Sequence, residues 1–132
     1  MILKQLMKKR TFREEIIKLI YQDIFGGEIN LEDIPSEINQ TFFDLREKYQ
    51  DLDLIISSNL SNWTIDRLNY VDLAIIRYAT YEMKYLKTPY QVAINEALEI
   101  TKIYSNLDDD LAKKFNNRLL ENIRIYLEKQ SG

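Results

Sequence analysis

The chain has 132 residues, 45% hydrophobic and 30% charged, with no histidine and no cysteine. That composition belongs to one soluble globular domain spanning 1–132, not to a disordered or membrane-spanning chain. Disulfides and thiolate chemistry are excluded, and most hydrolase and zinc-site readings fall with the missing histidine. Net charge is −3, but residues 1–13 carry Lys4, Lys8, Lys9, Arg10 and Arg13 with no acid. Such a basic cluster on an acidic body is a candidate polyanion contact, although on charge alone a solvated, frayed terminus is the first reading. Residues 1–10 are expected to form a flexible basic arm. The start MILKQLMKKR has neither an apolar signal core nor a cleavage site, so a cytoplasmic chain is expected.

Apolar residues recur every three or four positions nearly throughout, and prolines and glycines are few. The fold class is therefore all-α, a single-domain helical bundle. Thr11-Phe12-Arg13-Glu14 has the form of a capping box opening the first helix, which stops at Gly26-Gly27. Its apolar arc holds Phe12, Ile16, Ile17, Leu19, Ile20 and Ile24, and Tyr21 falls outside it. A second helix is expected near Ser36–Lys48 with Ile38, Phe42 and Leu45 inward, and a third about Gln50–Leu60 with Leu52, Ile55, Ile56 and Leu60 inward. The polar break Ser61-Asn62-Trp63-Thr64 carries the lone tryptophan, expected to plug a core edge, and a short helical turn should pass through Asp66-Arg67-Leu68.

Val71–Leu86 is apolar nearly all round, as a helix enclosed by others is. Glu82 lies within its apolar face. A carboxylate there must pair with a base such as Arg77 or Arg67, or the face must stay open for a partner. Thr88-Pro89-Tyr90-Gln91 reads as a cap, a first-turn proline and a capping-box glutamine. The apolar arc that follows runs Ala93, Ile94, Ala97, Leu98, Ile100 and Tyr104. Asn95 and Glu96 stand on its two shoulders, where each can bond a neighbouring helix. Asp108-Asp109-Asp110 heads the last helix, at the positive end of its dipole, and lacks the alternating ligands and glycine of a calcium loop. That helix is expected to bury Leu111, Phe115, Leu119, Leu120, Ile123 and Leu127. No phosphate-binding glycine loop is present, so no cofactor and no metal are expected, and of the catalytic readings only a carboxylate-only mechanism stays open.

The run NWTIDRLNYVDLAIIRYATYEMKYLKTPYQVAINEALEITK, continued by KKFNNRLLENI, resembles the C-terminal half of the NusB family of transcription antitermination factors. Arg13-Glu14 with Leu19-Ile20-Tyr21-Gln22 is similar to the family's N-terminal pattern. The resemblance covers roughly residues 8–127 and implies about seven helices and no enzymatic activity. It also implies pairing with the ribosomal protein NusE, binding of boxA, a single-stranded RNA element, and indirect contact with the RNA polymerase elongation complex. By position, Lys8, Lys9, Arg10 and Arg13 would contact RNA phosphates, with Tyr104, Asp109 and Phe115 near the RNA path. Tyr21 and Glu82 would face NusE, Glu82 rimmed by Tyr78, Tyr81 and Tyr85. Two departures stand out: Asn116 replaces an apolar residue, and Arg118 stands where the family has glycine. The alternatives are a structural helical protein that self-associates, as a homodimer when free, without RNA, and a stand-alone relative of the RNA-binding domain of ribosomal RNA cytosine methyltransferases.

Overall fold

The computed structural model describes residues 2–105 and 109–131, with side chains for 9–105 and 110–131. The described residues form six α-helices and no strand, close to the about seven helices expected. They are α1 (Ile2–Phe25), α2 (Ser36–Glu47), α3 (Tyr49–Ser58), α4 (Tyr70–Lys84), α5 (Tyr90–Tyr104) and α6 (Asp109–Ser131), with a 3₁₀ turn at Ile65–Arg67 before α4.

Helix α1 begins well before the anticipated capping box, so Thr11 lies inside the helix instead of capping it. A capping threonine needs extended backbone, and the preceding Leu, Lys, Gln, Met and Arg residues are all good helix formers that carry the helix straight through. The segment expected as a flexible arm is thus helical from Ile2 onward. The helix stops at Gly26, whose φ of +90° suits glycine and whose N–H reaches back to the carbonyls of Gln22 and Asp23 at 3.1 and 3.2 Å.

Helix α4 is the central strut, packed against α1, α3, α5 and α6. Its N-terminus is closed by the Asn69 side chain, which accepts from the Asp72 N–H at 2.8 Å. Ile75 and Ile76 of α4 are fully buried, as are Ile16 and Ile20 of α1, Phe42 and Leu45 of α2, and Leu52 and Ile56 of α3. Each such aliphatic side chain contributes about 1.5–3 kcal/mol. Ala79 of α4 and Ala93 and Ala97 of α5 share one narrow space with the side chains of Arg13 and Glu82. Small residues there let the helices close in and leave room for a polar pair.

Helix α6 buries Leu119, Leu120, Ile123 and Leu127 as expected, but its first turns face inward through other residues. Ala112, Asn116, Leu119, Leu120, Ile123 and Leu127 are buried, whereas Leu111 is 66% and Phe115 38% exposed. Asn116 takes an inner place because it finds polar partners there: its Nδ2 donates to Asp72 Oδ1 at 3.2 Å and to Thr101 Oγ1 at 3.1 Å. The expectation that Leu111 and Phe115 are core residues is corrected accordingly.

Candidate nucleic-acid and partner interfaces

One face of α1 meets α4 and α5 through two arginine–glutamate pairs, a single helical turn apart. Arg13 donates from Nε to Glu82 Oε1 at 2.6 Å and from Nη2 to Oε2 at 2.8 Å, a two-pronged pair whose side chains are 7% and 3% exposed. The chain after α4 returns to the same carboxylate. Lys87 adopts a left-handed φ of 58°, and Thr88 then donates its N–H to the Glu82 carbonyl at 3.1 Å and its hydroxyl to Oε2 at 2.8 Å. Burial pulls the Arg13 guanidinium down, but the Glu82 hydrogen bonds and charge outweigh it, so its pKa ends above the ordinary value.

Four expectations change here. Glu82 is not on an open face rimmed by tyrosines, because Arg13 seals it from within. Its base is neither Arg77, which is held by Asp53, nor Arg67, which lies over Trp63. Arg13 is likewise enclosed and offers no guanidinium to a phosphate. Thr88 does not cap α5, because its hydroxyl is engaged by Glu82; α5 starts after Pro89 without a side-chain cap.

One turn toward the N-terminus, Arg10 donates from Nε to Glu96 of α5, with side chains 35% and 18% exposed. Glu96 therefore bonds a neighbouring helix as its shoulder position suggested, while Asn95 is exposed and accepts from Gln91 within α5 at 3.1 Å. Lys9 is exposed beside Arg10. The side chains of Lys8 and Asp109 lie outside the described residues.

Aromatic side chains make two separate surfaces. At the C-terminal end of α1, Tyr21 stacks on Phe25 with ring centres 6.3 Å apart, and Phe25 meets Tyr70 of α4 edge-on at 6.4 Å. All three rings are exposed, Phe25 to 68%. This strip borders an open cavity of about 170 Å³ lined by Ile17, Lys18, Tyr21, Val71 and Tyr104. Tyr104 donates its hydroxyl to Glu14 at 2.9 Å, and that hydrogen bond and burial raise its pKa. On the other surface Trp63 is 42% exposed, so it does not plug the core edge as expected. The Arg67 guanidinium lies over its indole at 4.8 Å and Phe115 of α6 meets it edge-on at 6.4 Å. Lys114 and Arg118 are exposed on α6 beside Phe115. Sequence reasoning singled out Tyr21 and Phe115 but missed their companions. The spacing of Tyr21 and Phe25, four residues apart on one helix, was the available signal for the first group; in the second, Trp63 and Arg67 are also four apart, but nothing local announced Phe115.

Among the described residues no helix is long and apolar enough to cross a membrane, and no cluster of acidic side chains could hold a metal ion.

The NusB family model matches residues 2–124. Curated relatives called Transcription antitermination protein NusB include one from Listeria innocua, 38% identical over 130 residues, which cover 89% of this chain and 96% of the relative. Another, from Bacillus subtilis, is 38% identical over 133 residues, covering 93% of this chain and 99% of the relative. Among solved structures, T. maritima NusB aligns with a TM-score of 0.73 at 31% identity, covering 86% of this chain and 88% of that one. A chain in a structure called "Crystal Structure of a Plectonemic RNA Supercoil" aligns with a TM-score of 0.75 at 22% identity, covering 89% and 94%, and shows a common fold alone. With the family pattern running through all six helices, the chain belongs to the NusB family.

Proposed function

We propose that this protein is a non-enzymatic transcription antitermination factor that binds boxA-type single-stranded RNA together with the ribosomal protein NusE, and so acts on the elongating polymerase in the cytoplasm. The observation that carries the proposal is the family match over residues 2–124, joined to curated relatives bearing that name. Two features of the surface support it. Single-stranded RNA needs cations for its phosphates and flat side chains for its bases. Lys9 and the half-exposed Arg10 supply the first, and exposed Phe115 with Trp63 and Arg67 supplies the second. Tyr104 lines the cavity beside Tyr21, its hydroxyl held by Glu14, and is given no part in this RNA path. A protein partner needs large side chains free of their own core, and the Tyr21–Phe25–Tyr70 strip with its adjoining cavity provides them for NusE.

The test is a titration of fluorescent boxA-like and scrambled RNA with the protein alone and with NusE. The expected result is at least about tenfold tighter binding of boxA by the complex, with Lys9→Ala lowering the salt slope by about one unit. Equal binding of scrambled RNA at physiological salt overturns the sequence-specific role.

A further inference from the structure

We propose that Glu96 is a positioning residue for RNA: it grips the Arg10 guanidinium by its Nε edge and so presents the two Nη groups to a backbone phosphate. The inference rests on the RNA role proposed above. Arginine has two hydrogen-bonding edges, one formed by Nε with an Nη and the other by the pair of Nη groups. Arg13 gives its Nε edge wholly to Glu82 and is buried. Arg10 contacts Glu96 through Nε, and among the described residues that is its one hydrogen bond. Among the described residues its outer fork is therefore unengaged while Glu96 holds Nε, and its side chain sits at the rim, 35% exposed.

The register is set one turn away. The sealed Arg13–Glu82–Thr88 group pins α1 against the α4–α5 connection, which brings residue 10 over the middle of α5. Freed from Glu96, Arg10 would have other carboxylates to visit, since Glu99 and Glu14 both lie close enough to act on its charge. Both are partly engaged already, Glu99 by Lys102 and Glu14 by Tyr104. Glu96 thus opposes RNA at long range through its charge and helps at contact range by fixing the fork. Its two contributions separate by mutation.

The experiment measures boxA-like RNA binding by the full chain with NusE for Glu96→Ala, Glu96→Gln, Glu96→Asp, Arg10→Ala and the Glu96→Ala/Arg10→Ala pair, with thermal melting of each. Glu96→Ala should weaken binding roughly three- to tenfold, the scale of the arginine rotamer freedom it releases. Glu96→Gln, which keeps an acceptor oxygen for Nε, should restore wild-type affinity or better. The double variant should bind no more weakly than Arg10→Ala, because the glutamate helps binding only through that arginine, and without it only its opposing charge is lost. Glu96→Asp keeps the charge and shortens the reach, so it should weaken binding even if Glu96→Ala does not fold. Wild-type or tighter binding by Glu96→Ala or Glu96→Asp, or additive losses in the double variant, overturns the inference and makes the carboxylate a mask. If the wild-type complex does not prefer boxA RNA, the functional role itself fails. If it does and Arg10→Ala alone weakens binding, only the part given to Glu96 fails.

Discussion

Arg13–Glu82 and Arg10–Glu96 use the same two chemical groups on neighbouring turns of α1, yet they differ in kind. The first is closed on every side: two prongs, a threonine hydroxyl on the same carboxylate, and side chains 7% and 3% exposed. The second touches through one nitrogen and stands at 35% and 18% exposure. Water decides what each can do. An enclosed pair cannot be traded for solvent, so losing one member strands the other; an edge pair can exchange its partner for water or for an incoming anion.

The largest test of that difference is Glu82→Ala, which leaves Arg13 charged and unpaired and should cost about 3–5 kcal/mol in urea unfolding. Replacing both residues by apolar ones of similar volume, Arg13→Met with Glu82→Leu, should recover most of the loss, and a double variant as unstable as the single one would mean that the pair does more than satisfy itself.

A second enclosed polar contact sharpens the comparison, because it lacks a cation. Asp72 is 5% exposed and accepts from Asn116, whose Oδ1 finds no hydrogen-bond partner among the described residues. Burial pushes the Asp72 carboxyl above its ordinary 3.8, against the hydrogen bonds from Asn116 and at Asn69. A raised folded pKa means that the fold prefers the protonated acid. This group's contribution to stability therefore falls as pH rises from 3.8 through the higher folded value, and the cost is complete above it. Asp44 and Asp51 run the other way: hydrogen bonds from lysine and tyrosine hold them below 3.8, so their stabilisation is present above that pH and lost as pH drops through the folded values. Asp72→Asn should raise stability at neutral pH by on the order of 1 kcal/mol. It should also remove the decline with rising pH that begins near 3.8. Unfolding curves across acidic pH check both.

The smallest expected effect is Arg10→Ala, which should change unfolding free energy by about 0–1 kcal/mol, as exposed pairs do. A loss as large as that of Glu82→Ala would erase the distinction between the two turns.

Much of the scaffold was legible because it is written locally. Helix α2 was expected near Ser36–Lys48 and found at Ser36–Glu47, with Ile38, Phe42 and Leu45 inward, since a threefold and fourfold apolar rhythm needs only its own helix to be seen. The family pattern likewise survived in contiguous blocks. Most of the misread parts depend on residues distant in sequence. Glu82 was correctly placed on an apolar face, but its partner is 69 positions away. Asn116 faces inward because of Asp72 and Thr101, and Trp63 stays at the surface beside Arg67 and Phe115, none of which a helical wheel reveals. The capping box at Thr11 failed for the converse reason: a local motif was overridden by the helix-forming residues before it.

The long reach of the two α1 pairs bears on how the protein is made. Arg13 must wait for a partner 69 residues downstream and Arg10 for one 86 downstream. At about 5–20 residues per second, the ribosome delivers those glutamates several seconds after α1 has left it. During that interval Ile16 and Ile20, fully enclosed in the finished protein, lack the helix that will cover them. Until α4 emerges, that apolar face of α1 is exposed surface of the kind that makes unfinished chains prone to association.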